Sequence, residues 1–381
     1  MSTSRRQILR SAGAAGLALL PLGARGQQLR SDPSAPWSEA PLAAAHADPR
    51  IRALAWAVLA PNPHNRQPWV AELPAATPDT MLLFCDLDRR LPVTDPLDRQ
   101  ITIGLGCFIE LFRMAAAAEG LDLVVTPFPD GAAQPRLDGR PVARLRLVPG
   151  GVADPLFAVA DRRRSVKAPY DMDRPVPAAA LQAVASAVAP PGRCLVTAEA
   201  SRVAALRDLV WRAWMVEATT PAAHLESVDL MRLGREAVTA QPDGISIYGP
   251  GLDAAVASGQ ITHAAMLPGQ PGYDFMVSRY RAMMTATPAF VWTTTPGAGR
   301  ADQLQAGRDW LRVNLAATAA GLALQPVSQA LQEYPEMDGP YREAQRELGE
   351  GGVVQMMGRL GYGPAVPPTP RWPAMSRIRT A

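Results

Sequence analysis

One lysine, Lys167, stands among 37 arginines in the 381 residues of this chain, and cysteine, histidine and aromatic residues are scarce as well. Cys85, Cys107 and Cys194 are odd in number, widely spaced and set in apolar runs, which excludes a disulfide framework and points to buried thiols. His46, His64, His224 and His263 form no close pair, and neither C-x-x-C nor H-E-x-x-H occurs, so no metal site is expected. There is no G-x-S-x-G elbow and no Walker loop. Gly104-Leu105-Gly106 heads a helix-like pattern but lacks a third glycine and a preceding strand, which argues against a dinucleotide loop. No uninterrupted apolar run reaches the ~20 residues of a membrane-spanning helix.

What is present is ample apolar material: 48% of residues are hydrophobic, enough for a real core and too much for a wholly disordered chain. The formal net charge is +3. Residues 1–26 read as a secretory leader of the twin-arginine type: Arg5-Arg6 and Arg10, an apolar stretch from Ala12 to Leu22, then Ala24-Arg25-Gly26 with small residues where a peptidase cleaves. An uncleaved anchor is the alternative. The leader carries four arginines and no acid, so removing it leaves acidic side chains one ahead of basic ones. The apparent basicity belongs to the leader, and a nucleic-acid surface loses its support. The expected route is export by the twin-arginine machinery to the periplasm, with no stable membrane span after cleavage.

Residues 27–48 are rich in Pro, Ser and Ala without a sustained period, as an extension that wraps the surface or lacks order. Helical spacing begins at Ile51, Leu54, Ala55, Val58 and Leu59 and stops at Pro61. Strands are expected at 81–85, 121–126 and 142–148, with a long helix over 101–119 capped by Gly120. Gly150-Gly151 marks a boundary between halves. Beyond it, helices are expected over 177–188, 203–217 and 308–320, and strands over 194–198 and 289–294. Interleaving without regular βαβ units favours α+β. Residues 114–123 (MAAAAEGLDL) and 315–324 (LAATAAGLAL) agree at six of ten positions, sharing a helix, a glycine cap and a return strand. This suggests two related halves, although alanine matches weigh little in such a chain.

Two segments carry chemistry. Ala60-Pro61-Asn62-Pro63-His64-Asn65-Arg66-Gln67-Pro68-Trp69 fixes Asn65 and Gln67 amides between prolines, which suits the edge of a planar heterocycle; a turn whose amides satisfy only backbone has the same composition. Asp161-Arg162-Arg163-Arg164-Ser165-Val166-Lys167 offers four cations and a hydroxyl, either a phosphate or carboxylate clamp or a solvated basic run. Near the C-terminus, Arg371-Trp372-Pro373 fixes one more arginine among prolines.

As a set, these three segments resemble the signatures of the nitroreductase-like flavoprotein family, over most of the chain after Pro49. The stretch from His224 to Arg232, with Pro242-Asp243-Gly244-Ile245 behind it, resembles the Acg-type subgroup of single-chain pseudo-dimers. The resemblance implies a nitroreductase-like α+β fold with halves 49–150 and 151–381 and a lid-like insertion at 217–288, which a plain connecting subdomain would also explain. It implies one FMN per chain, since the basic segment occurs only in the second half and the Asn-rich loop only in the first. Arg163, Arg164, Ser165 and Lys167 would face phosphate, ribityl chain and ring edge. Arg371 would be a further phosphate ligand. Pro63, Asn65 and Gln67 would reach the flavin from the other half, and Gln325, Pro326, Val327 and Ser328 would lie in the loop whose backbone N–H faces the ring. The implied activity is transfer of hydride or electrons from NAD(P)H or another reductant, through FMN, to a nitroaromatic, quinone or similar flat acceptor. The alternative is a protein that sequesters flavin beneath a lid. No catalytic acid is evident.

Overall fold

The computed structural model describes residues 32–379. The leader expected at 1–26 lies outside the described residues. The chain begins with a short helix α1 (Pro36–Glu39) and continues through α2 (Pro49–Ala57), β1 (Trp69–Glu72), β2 (Thr80–Cys85), α3 (Arg99–Ala117), β3 (Leu121–Pro127) and β4 (Ala143–Pro149). After Gly150-Gly151 come α4 (Ala178–Ala185), β5 (Cys194–Thr197) and α5 (Ala200–Thr219). Then follow α6 (Pro221–Asp229), β6 (Met231–Leu233), α7 (Gly234–Ala240), β7 (Ile245–Ile247), α8 (Pro250–Ala257) and α9 (Pro271–Thr285). The chain closes with β8 (Ala289–Thr295), α10 (Arg300–Ala319), β9 (Ala323–Pro326), α11 (Asp338–Leu348), β10 (Val353–Gly361) and β11 (Ile378–Arg379).

The two main sheets share one topology. The first runs β1-β2-β4-β3 and the second β5-β8-β10-β9, each with its long helix between its second and third strands in chain order. All pairings within these two sets are antiparallel, the α+β pattern expected from the sequence. The tail returns from the second half to add β11 parallel to β1, with Ala71 opposite Ile378. Within the second half, between α5 and β8, a small parallel pair β6-β7 lies over an apolar cluster of Val228, Met231 and Met266.

The helices α3 and α10 pack against each other at the centre. Arg99, Gly106 and Gly120 stand in the same register along α3 as Arg300, Gly307 and Gly321 along α10. A Cβ on Gly106 would run into the Leu304 carbonyl, and one on Gly307 into that of Ile103, so only glycine permits this crossing. Gly120 and Gly321, at φ 78° and 71°, turn each chain into its return strand. The helices exchange arginines: Arg99 donates to the carbonyls of Gln355 and Leu331, while Arg300 donates to those of Leu97 and Pro135. Glu110 on α3 accepts from Arg308 at 3.0 Å and Arg312 at 3.2 Å on α10. Although α3 is long and apolar enough to cross a membrane, it is buried between the halves. The three cysteines are free and buried.

Candidate functional site

Helix α2 ends on the carbonyls of Val58, Leu59 and Ala60, a partial negative pole that attracts cations. Arg371 donates Nε to Val58 at 3.0 Å, Nη2 to Leu59 at 3.3 Å and Ala60 at 3.1 Å, and Nη1 to Asn65 Oδ1 at 2.6 Å and Pro370 at 3.0 Å. All five of its N–H groups thus point at protein acceptors, and it braces the loop rather than offering a free edge. Arg163 spends only Nη2, on the Leu59 carbonyl at 3.1 Å. Arg164 spends only Nη1, on the carbonyls of Asp161 and Arg163. Among the described residues no carboxylate lies within ion-pairing distance of these three guanidiniums. Burial lowers the pKa of all three, that of Arg163 to about 10, and mutual repulsion adds to the effect at Arg163 and Arg371. Arg163 and Arg164 thus keep N–H donors that no described protein group takes.

The Asn-rich loop is strained. His64, Asn65 and Gln67 hold φ of 46°, 52° and 51°, in the left-handed region that non-glycine residues rarely occupy. Side chains hold it there: Asn62 Oδ1 accepts from Gln67 N at 2.7 Å, and Gln67 bridges Trp372 N at 2.8 Å and the Pro242 carbonyl at 2.6 Å. Gln67 is therefore buried and fully engaged, while Asn65 and Pro63 stay half-buried. Asn65 Nδ2 donates to Pro370 at 3.1 Å. The loop packs on α3 where a Cβ at Gly104 would crowd Asn62 and Pro63.

Lys167 is solvent-accessible, yet the protein surrounding it lowers its pKa, with Glu217 pulling the other way. Across from it, burial lowers His64 to about 4, aided by the charges of Lys167 and Arg66. The His64 Nδ1 is buried without a partner. Arg359, fully buried, donates to the carbonyls of Val166 and Ala168 and so fixes the backbone on both sides of Lys167. It also donates to Gln325 Oε1 at 2.8 Å, so the Gln325 side chain serves Arg359. Ser165 and Pro326 are half-buried, Val327 and Ser328 buried. Val327 N donates to the Met357 carbonyl at 2.9 Å; among the described residues the N–H groups of Ser328 and Gln329 have no acceptor.

Several participants carried little sequence signal. Glu217, at the end of α5, accepts from Gln332 at 2.8 Å and Ser227 at 3.3 Å, and burial raises its pKa. Gln329 Oε1, Gln332 Oε1 and the Tyr334 hydroxyl are buried and unpartnered. Arg279 of α9 donates to the Lys167 carbonyl at 3.0 Å. Trp37, isolated in a proline-rich stretch, packs on the arginine cluster. The stretch 217–288 is fastened to the first half by two acids. Glu226 accepts from Val93 N, Thr94 N and Thr94 Oγ1 at 2.9, 2.9 and 2.6 Å. Asp243 pairs with Arg89 at 2.6 Å and Arg232 at 2.9 Å and accepts from Trp372 Nε1 at 3.3 Å.

No family model matches the chain. Rv3131 of Mycobacterium tuberculosis, provisionally named an NAD(P)H nitroreductase, is 28% identical over 335 residues, covering 84% of this chain and 87% of its own. A second protein of that organism with the same provisional name, acg, is 41% identical over 73 residues, 19% of this chain and 20% of its own. Among solved structures, the FMN-dependent nitroreductase NfnB from Mycobacterium smegmatis, in complex with NADPH, is 20% identical, covers 53% of this chain and 84% of its own, and has a TM-score of 0.32. A nitroreductase with bound FMN from Bacteroides fragilis is 16% identical over 56% of this chain and 93% of its own, also at 0.32.

Proposed function

We propose that the chain is an FMN-dependent oxidoreductase of nitroreductase type, its two halves packed as an internal pseudo-dimer with one flavin site between them. The observation that carries this reading is Arg163 and Arg164, each with N–H donors that no described protein group takes, on one segment with Lys167 and close to buried polar atoms without partners. Arg163 and Arg164 keep free N–H edges for a phosphate, and Arg371 holds the α2 terminus and Asn65 in place. Ser165 and Lys167 follow on the same segment. The free N–H groups of Ser328 and Gln329 are suited to stabilise negative charge on an electron-rich ring. His64, neutral above about pH 4, offers a polar nitrogen without adding charge.

When bound, FMN supplies the hydride and electron chemistry; the protein supplies position, charge and access. NADPH or NADH is the proposed donor, and a flat nitroaromatic or quinone the proposed acceptor. Glu217, whose pKa burial raises, sits near Lys167 as a store for a proton. The twin-arginine leader expected from the sequence supports a periplasmic location, with cofactor acquired before export.

A second reading, flavin sequestration, draws on the latched segment 217–288. Its carboxylates Glu226 and Asp243 hold it against the first half, as a closed lid would be held. Anaerobic addition of NADPH and NADH to the FMN-loaded protein separates the two. Bleaching of the flavin absorbance supports the reductase; an unchanged spectrum with both donors, while photoreduction still succeeds, supports sequestration.

A further inference from the structure

The guanidiniums of Arg163, Arg164 and Arg371 all converge on one indole. Their Cζ atoms lie 5.6, 4.5 and 5.6 Å from the ring centroid of Trp37. Trp37 is buried in α1, within the stretch expected from the sequence to be a surface extension. Its position is pinned twice: Nε1 donates to the Thr369 carbonyl at 2.8 Å, and the nearby Pro33 carbonyl accepts from Arg371 N at 2.8 Å. The extension and the C-terminal tail are therefore zipped together beside the cluster.

A guanidinium held by cation–π attraction near an aromatic ring is positioned without an oxygen acceptor having to take its N–H groups. That geometry matters for Arg163 and Arg164, each with donors unspent by protein, and not for Arg371, which has none left. The indole also lies against the buried Arg163 and Arg371, while Arg164 stays half-buried with the Asp161 carboxylate offsetting part of its charge; shielding from water strengthens the pull of the buried charge on an anion. We infer that Trp37 is a positioning residue of the anion site: it holds the edges of Arg163 and Arg164 toward the phosphate monoester of the flavin nucleotide and seals that end of the site. This inference rests on the FMN reading above and assigns the N-terminal extension a part in it.

The test compares two flavins that differ only in the phosphate. The exported, mature chain and its Trp37→Ala and Trp37→Phe variants are titrated with FMN and with riboflavin by flavin fluorescence, with thermal unfolding followed alongside. Trp37→Ala is expected to raise the FMN dissociation constant about tenfold and leave that of riboflavin unchanged, from loss of stacking on two arginines. Trp37→Phe keeps an aromatic face and is expected to stay within about threefold of wild type; it carries the comparison should the alanine variant not fold. Equal weakening of both flavins would mean a merely structural role and overturn the inference. Unchanged or tighter FMN binding by Trp37→Ala would overturn it too, the latter because the indole would then compete with the anion. A wild-type chain that binds neither flavin would overturn the FMN reading itself, a result distinct from any effect confined to the variants.

Discussion

His64 sits in a left-handed conformation with Nδ1 buried and unpartnered, and burial together with Lys167 and Arg66 lowers its pKa from 6.5 to about 4. Between those values the unfolded chain binds a proton that the folded chain refuses, so stability falls as pH drops from about 6.5 to about 4. Urea unfolding across that window is expected to show this loss, and His64→Ala is expected to flatten the slope; an equal slope in the variant would remove His64 from the account. At this scale the basic run was legible as a cation cluster, because four charges in six residues need no fold to be noticed. The division of labour within it was not. Arg371 resembles a phosphate ligand in sequence, yet its five donors meet the α2 carbonyls, Asn65 and Pro370, and only the folded geometry reveals that. Gln67 likewise turns both ends of its amide toward protein.

Elements differ in how plainly the sequence announces them. Helix α3 and its return strand follow directly from apolar periodicity and Gly120. Helix α10 begins at Arg300, earlier than the residue 308 its periodicity suggests, because Arg300 and Gln303 are buried polar groups, Arg300 donating to the carbonyls of Leu97 and Pro135 and Gln303 pairing with Arg300 and the Ala298 carbonyl. Strand β10 was hidden for a related reason. Gln355 and Arg359 interrupt its apolar run, and Gly358 is required where a Cβ would strike Trp310. The central crossing gives a direct test. Gly106→Ala forces α3 and α10 apart and is expected to cost about 3 kcal/mol, read as a lower Tm; a neutral outcome would mean the helices can separate freely. The latched segment gives another. Glu226→Ala leaves Val93 N and Thr94 N without their acceptor and is expected to speed limited proteolysis within 217–288, with cleavage elsewhere unchanged. Uniform acceleration across the chain would point to global destabilisation instead.

At the scale of the molecule, the shared strand order and the matching registers of Arg99, Gly106 and Gly120 with Arg300, Gly307 and Gly321 make the two halves equivalent in frame. They are unequal in chemistry. The strained Asn-rich loop belongs to the first half, the Arg163 to Lys167 segment to the second, and the tail carrying Arg371 crosses back to join them. The single lysine of the sequence falls in that segment, with its flanking carbonyls held by Arg359. An even frame with uneven chemistry leads to a count. The most direct measurement is the flavin stoichiometry of the purified mature chain, from FMN released on denaturation set against protein determined by amino-acid analysis. One FMN per polypeptide, reduced to a small fraction in Arg163→Ala/Arg164→Ala, is the predicted result; two FMN per chain, or one that survives loss of both arginines, would contradict it.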